Sequence, residues 1–198
     1  MKISQAEFAG SSTRVGQRPK RRLPEFAFIG RSNVGKSSLI NTLCRNRKLA
    51  MTSATPGKTK LVNHFLINDS WYLVDLPGYG FASIDKRGRD ELKALIRDYI
   101  HNSEELTQLF VLVDSRHDIG AIDLDFLAEL GEQGIPCAII YTKCDKIGPN
   151  VLKDRMDRNA QTLLKDWEQL PPVFTSSSET GAGREEILQY IDSIIQTL

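Results

Sequence analysis

Apolar positions fall into two patterns along the chain. EFAFIG (25–30), LVNHFLI (61–67), WYLVDL (71–76), QLFVLVD (108–114), PCAIIYT (136–142) and PVFTS (172–176) are short, nearly continuous apolar runs and read as strands. Between them the period lengthens. KSSLINTLC (36–44) reads as a short helix, and RDELKALIRDYI sets Leu92, Leu95, Ile96 and Tyr99 on one helical face. Further helices are expected near 121–132 and 150–168, and a final one carries Ile187, Leu188, Ile191, Ile194, Ile195 and Leu198. The NDS between the second and third runs signals a hairpin. Strands that are apolar throughout are covered on both faces, so the pattern predicts an α/β fold class: three layers, with a mostly parallel six-stranded sheet, one antiparallel edge strand and helices on both faces. Residues 1–22 are polar, basic and aperiodic and are expected to form a flexible N-terminal arm before a single domain at 23–198.

Composition narrows the class. At 198 residues, 40% hydrophobic and 26% charged, the chain suits one globular domain. No apolar run approaches the ~18 residues of a membrane span. The start, MKISQAEFAGSS, lacks the apolar block and cleavage site of a secretory signal. Cys44, Cys137 and Cys144 are an odd number without metal spacing, which fits a reducing cytosol, so a cytoplasmic location is expected. The net charge of +1 hides an asymmetry: residues 1–68 carry 13 Lys/Arg against two acids, Glu7 and Glu25. That excess suits the phosphates of a nucleotide, and part of it suits a polyanion such as RNA.

The strand ends carry the chemistry. GRSNVGKS (30–37) fits G-x-x-x-x-G-K-[ST] and stands between a strand and a helix, the context a phosphate-binding P-loop requires. Gly30 and Gly35 let the backbone turn several N–H groups toward one anion, and the helix N-terminus adds its dipole. Lys36 is placed to reach the β- and γ-phosphates, and Ser37 to give a hydroxyl to Mg²⁺. In DLPG (75–78), Asp75 suits Mg²⁺ held through water, and the Gly78 N–H suits the γ-phosphate. TPGKT (55–59) holds two threonines, Thr55 and Thr59, either of which suits the same ion. In TKCD (142–145) the Asp145 carboxylate can accept from both the ring N–H and the exocyclic amine of guanine, a donor pair that adenine lacks. The Lys143 stem suits a purine face. Thr142 stands where asparagine is usual and can make only part of its bonds. The amides of Ser176, Ser177 and Ser178 in TSSSETG (175–181) suit the guanine carbonyl.

In this order the five elements resemble the translation-factor-related P-loop GTPases, over roughly residues 24–197. GRSNVGKSSLIN, TPGKTKLVNHF, DLPGYGFA and TKCDK are similar to the EngB (YihA/YsxC) family of bacterial ribosome-biogenesis GTPases. The resemblance implies a P-loop GTPase domain that binds GTP or GDP with Mg²⁺, acts in large ribosomal subunit assembly and is needed for cell division and septation. It also implies that Thr59, not Thr55, is the switch threonine on the ion. Nucleotide contacts are accordingly expected from Gly30, Arg31, Ser32, Asn33, Val34, Gly35, Lys36 and Ser37; from Gly57, Lys58, Thr59, Lys60 and Leu61; from Asp75, Leu76, Pro77 and Gly78; from Thr142, Lys143, Cys144 and Asp145; and from Ser176 to Ser178.

DLPG is followed by Tyr79, where many such loops carry a glutamine that orients water. A phenol of pKa about 10 is a poor base at neutral pH, so a packing or anchoring role is the expectation for Tyr79. Hydrolysis then draws on Lys36, Thr59, Gly78 and Asn33. Related potassium-activated GTPases carry an asparagine at the Asn33 position, which makes K⁺ a candidate cofactor; a ribosomal partner that orders the loops is the other source of stimulation. The loops 46–60 and 77–90 are the expected switches, with Gly57, Gly78, Gly80 and Gly88 permitting movement. Arg45, Arg47, Lys48, Lys58 and Lys60 flank the first as an RNA-facing patch. Nothing demands more than a monomer. The alternative readings are a small-molecule P-loop kinase, which TKCD and DLPG argue against, and an RNA-binding protein with a vestigial nucleotide fold, which the intact Lys36, Ser37, Asp75 and Asp145 argue against.

Overall fold

Successive residues of a strand point to opposite faces, and the second strand shows what that does here. Ala27 and Ile29 enter one core while Phe26 and Phe28 enter another on the opposite side of the sheet. The computed structural model describes residues 1–51, 61–80 and 85–198. Among them seven strands form one sheet: β1 (Ala6–Ser12), β2 (Glu25–Gly30), β3 (Val62–Ile67), β4 (Trp71–Asp75), β5 (Leu106–Asp114), β6 (Cys137–Thr142) and β7 (Val173–Thr175). Their order is β1-β3-β4-β2-β5-β6-β7, parallel from β4 to β7.

Helices cover both faces. On one, α2 (Lys86–Asn102), α3 (Ala121–Glu132) and α4 (Pro149–Leu163) bring Ile96, Tyr99, Leu127, Leu130 and Leu163 against Ile29, Val111 and Ile139. On the other, α1 (Lys36–Cys44) and α5 (Arg184–Ile195) bring Leu39, Ile40, Leu43, Ile187, Leu188 and Ile191 against Phe28, Phe110 and Ile140. Each such side chain taken fully out of water contributes roughly 1.5–3 kcal/mol. The three-layer α/β class is therefore as expected.

The expected hairpin also forms. Asn68 and Asp69 both have positive φ, 48° and 54°, and the Ser70 N–H closes the turn on the Ile67 carbonyl at 3.0 Å. This is the mirror-image turn geometry that Asn and Asp tolerate and that matches strand twist.

Two expectations need correction. The sheet has seven strands, not six, because Ala6–Ser12, within the segment read as an arm, is a strand. It pairs antiparallel with β3, from Ala6↔Ile67 to Ser12↔Val62, with an irregularity between Phe8 and Gly10. The antiparallel strand β3 thus lies inside the sheet and β1 takes the edge. An edge strand that buries little has no apolar period to reveal it. Main-chain bonds hold β1, and the Asn68 side chain adds to them, its Oδ1 accepting from the Ser4 and Gln5 N–H groups at 2.8 and 3.1 Å. Second, 77–90 is not all loop. Helix α2 begins at Lys86, and Gly88 sits in its first turn, where its N–H donates to the capping Asp85 carboxylate at 2.9 Å.

At the end of the sheet where β2 begins, the buried Glu25 gathers donors. Tyr99 Oη donates to its Oε2 at 2.6 Å and Ser103 Oγ at 3.0 Å, while His64 Nε2 lies 3.3 Å from Oε1. Arg18 in turn donates to Ser103 Oγ at 2.7 Å and pairs with Glu105, which ties the N-terminal segment to this cluster. Burial pushes the Glu25 carboxyl up, but His64, Tyr99 and Ser103 together outweigh it and hold the group below its ordinary 4.5. A carboxyl depressed in the folded state stabilises the fold above its unfolded pKa, and that contribution is lost as pH falls through the folded value. Glu25→Gln is therefore expected to lower the unfolding free energy at pH 7 by about 2 kcal/mol. The gap from wild type should narrow as the pH drops below 4.5, measured by urea titration at several pH values.

Candidate nucleotide-binding site

The parallel strands deliver their carboxyl ends to one side, and the loops that follow them meet there. Gly30 ends β2, and α1 starts at Lys36 behind Gly35, whose φ is 103°. A Cβ at Gly30 would lie 2.9 Å from the Leu112 carbonyl oxygen, so the P-loop can leave the sheet here only with glycine. The far end of α1 is fixed from α5. The buried Arg184 guanidinium donates to the Thr42 and Leu43 carbonyls at 2.8–3.1 Å, capping the helix C-terminus with a cation. Asn41 organises the chain beyond α1, accepting from the Ala50 N–H at 2.7 Å and donating to the Ala50 carbonyl at 3.0 Å.

The DLPG segment continues β4 and lies along the P-loop. The Leu76 N–H donates to the Phe28 carbonyl and the Tyr79 N–H to the Gly30 carbonyl, both at 3.0 Å. A Cβ on Gly78 would stand 2.9 Å from the Gly30 carbonyl oxygen. Lys36 Nζ and Asp75 Oδ1 form an ion pair. Burial by itself draws the Lys36 ammonium down to about 7, and the touching carboxylate opposes this by favouring the charged form. Ser37 and Asp75 are hard oxygen donors, the chemistry Mg²⁺ prefers, and phosphate and water oxygens usually complete its octahedron. The residues fit that ion: Ser37 would hold it directly and Asp75 through water. Among the described residues no group of three His, Cys, Asp or Glu could hold a metal by itself.

Tyr79 turns away from catalysis. It is buried, its ring packs on Phe126 with centroids 4.8 Å apart, and its hydroxyl donates to Asp123 Oδ1 at 2.9 Å. Burial, and then the Asp123 carboxylate, raises its pKa well above 10, so it remains a protonated donor. The other Asp123 oxygen caps α3, accepting from the Gly120 N–H at 3.4 Å. Tyr79 therefore anchors the loop after Gly78 to the start of α3.

At the base end, β6 delivers TKCD. Thr142 Oγ1 donates to the Val34 carbonyl at 2.6 Å, so the hydroxyl that replaces asparagine is committed to the P-loop. Lys143, with φ 59°, sends Nζ to the Asn33 carbonyl at 2.6 Å and to Asp114 Oδ2 at 2.9 Å. Ser177 Oγ donates to Asp145 Oδ1 at 2.6 Å, and this bond is the main reason the Asp145 carboxyl is held below its ordinary range. Two serine amides are already engaged: Ser176 N–H with the Tyr141 carbonyl at 2.7 Å and Ser177 N–H with the Ala182 carbonyl at 3.1 Å. The candidate donor for a base carbonyl thus narrows to Ser178, which is exposed.

The structure brings together Gly30 to Ser37, Asp75 to Gly78, Thr142 to Asp145 and Ser176 to Ser178. Thr55, Gly57, Lys58, Thr59 and Lys60 lie outside the described residues; Leu61 precedes β3 and is exposed. The sequence reading missed Asp114, Arg116, Asp123 and Arg184. Asp114 alone carried a signal, as the acid that ends an apolar strand in the same row as the motifs.

A family model described as 50S ribosome-binding GTPase matches residues 25–143. The probable GTP-binding protein EngB of Phocaeicola vulgatus is 56% identical over 198 residues, covering 100% of this chain and 99% of that protein. Its counterpart in Bacteroides thetaiotaomicron is 57% identical over 194 residues, or 98% of this chain and 96% of that one. The chain belongs to the EngB family of GTP-binding proteins. A crystal structure of a probable GTP-binding protein engB superposes with a TM-score of 0.70 at 25% identity, over 88% of this chain and 100% of that one. Membership in the EngB family accords with the P-loop, DLPG and TKCD as marks of a GTP-binding protein, and leaves Tyr79 as a residue whose packing this structure supplies.

Tyr79→Phe removes a buried donor to a carboxylate and is expected to lower the unfolding free energy by about 2 kcal/mol. Urea denaturation of the two proteins measures it, and unchanged stability would mean that the hydroxyl anchors nothing.

Proposed function

We propose that this protein is a guanine-nucleotide switch that binds GTP or GDP with Mg²⁺, hydrolyses GTP slowly and acts in assembly of the large ribosomal subunit. Lys36 neutralises the β- and γ-phosphates, Ser37 and Thr59 hold the ion directly, Asp75 holds it through water, and the Gly78 N–H senses the γ-phosphate. Asp145 reads guanine, Lys143 lies along the purine, and Ser178 faces the base carbonyl. The observation that carries the reading is the meeting of base loop and phosphate loop, in which Lys143 bonds the Asn33 carbonyl and Thr142 the Val34 carbonyl. A site joined in this way takes base and phosphates as one ligand.

Because Tyr79 is committed to Asp123, charge at the γ-phosphate comes from elsewhere in this proposal. Potassium beside the exposed Asn33 is one source, and a ribosomal particle that orders the switches is the other. The 50S ribosome-binding description of the matched family supports the large subunit as partner. So do the exposed Arg45, Arg47 and Lys48 beyond α1, which offer a patch to ribosomal RNA. A cytoplasmic monomer needed for cell division and septation completes the proposal.

Three outcomes test it. Asp145→Asn presents amide donors where guanine needs an acceptor, so it should weaken GDP binding about a hundredfold and favour a xanthine nucleotide, whose second carbonyl accepts them; calorimetry with both nucleotides decides. GTP turnover should be faster in potassium than in sodium, alone or with ribosomal particles, and equal rates in both would remove Asn33 from the catalytic set. Co-sedimentation with large subunits at moderate salt should require a non-hydrolysable GTP analogue and fail with GDP. Equal binding in both states would leave a guanine-nucleotide protein without a switch.

A further inference from the structure

Asp114 ends β5 beside β6, paired in register with Thr142. No expectation from the sequence reached it. Its carboxylate is three-quarters surrounded by donors: Arg116 gives its main-chain N–H and Nε to Oδ1 at 3.1 and 2.9 Å and its Nη2 to Oδ2 at 2.8 Å. The remaining approach, to Oδ2, is taken by Lys143 Nζ at 2.9 Å. That ammonium also bonds the Asn33 carbonyl at 2.6 Å, so Asp114 and the P-loop hold it from two sides. The Lys143 stem runs over Gly35, whose position for a Cβ would be 3.6 Å from the lysine Cε. The backbone of Lys143 is left-handed, with φ 59°, and this projects the side chain back over the P-loop.

A lysine ammonium on four methylenes has many rotamers, and fixing one costs entropy unless partners define it. Arg116 is a planar fork, and its bidentate grip fixes the carboxylate plane. We propose that Asp114, clamped by Arg116, is a positioning residue that holds Lys143 along the P-loop where the purine of a guanine nucleotide lies. This rests on the reading of the site given above and extends it to two residues that touch no nucleotide. The pair acts on the nucleotide only through Lys143, preordering the stem and so slowing release.

The test is the release rate of a fluorescent GDP analogue from the full chain with Mg²⁺, for Asp114→Asn, Arg116→Ala, Lys143→Ala and the Asp114→Asn/Lys143→Ala double variant. Asp114→Asn keeps the shape and removes the charge, and should speed release about tenfold, equivalent to ~1.4 kcal/mol. Arg116→Ala should act in the same direction and less. In the Lys143→Ala background Asp114→Asn should add nothing, because the effect runs through the lysine, a dependence that general loss of structure would not produce. Wild-type release from Asp114→Asn, or an undiminished effect in the Lys143→Ala background, overturns the proposal. Should Asp114→Asn fail to fold, Arg116→Ala decides by the same criterion. A wild-type protein that does not bind the GDP analogue would instead overturn the nucleotide reading itself, and with it this one.

Discussion

The hydrogen bond from Thr142 to the Val34 carbonyl joins residues 108 apart in sequence, and the rest of the site depends on the geometry that allows it. It forms because β2, β5 and β6 are parallel neighbours whose carboxyl ends finish at the same level: Gly30 faces Leu112 on β5, and Asp114 faces Thr142 on β6. The Thr142 hydroxyl has one hydrogen, given to the Val34 carbonyl at 2.6 Å and more weakly to the Val113 carbonyl at 3.3 Å, where an asparagine amide would offer two donors and an acceptor. The chain adds the second attachment with Lys143, whose ammonium spans from Asn33 to Asp114. The loss of asparagine's bonds at position 142 is thus offset by the neighbouring lysine and by an acid from another strand.

The N-terminal segment belongs to the same logic at the opposite end. β1 zips onto β3, which begins one residue after Leu61 and so directly follows the 52–60 segment. The Val15 N–H donates to Asp98 on α2 at 3.1 Å, and Arg18 reaches the Glu25 cluster through Ser103. One stretch of chain therefore grips both β3 and α2. Tyr79 does the corresponding work on the other side, tying Gly78 to α3 through Asp123. Both attachments are main-chain or buried polar bonds, which hold geometry more strictly than apolar contact does.

Which of these features the sequence disclosed follows from their physical origin. Strands buried on both faces announce themselves by continuous apolar runs, and β2 to β6 were read to within a residue or two. Glycines and the invariant chemistry of phosphate, guanine and Mg²⁺ made GRSNVGKS, DLPG and TKCD legible, because few residue types perform those tasks. β1 was not legible: its ladder is made by backbone groups that every residue has, and its side chains are mostly exposed. Asp123 and Arg184 were not legible either, since each acts across 40 or more residues, and Asp114 offered only the signal of an acid that ends an apolar strand. Tyr79→Asp123 spans 44 positions and Arg184→Thr42 spans 142, distances over which no local pattern exists.

The site's charges also share a trait that bears on how tightly it can bind. Lys36 meets Asp75, Lys143 meets Asp114 and Asn33, and Asp145 meets Ser177 and Lys146. Among the described residues, Lys36, Lys143 and Asp145 each already have a protein partner, so binding adds to or exchanges contacts that exist before the nucleotide arrives. The gain per contact is then smaller than a fresh ion pair would give, and affinity cannot be summed from the list of contacts. What the arrangement preserves is geometry: the charges stand in place whichever partner they hold.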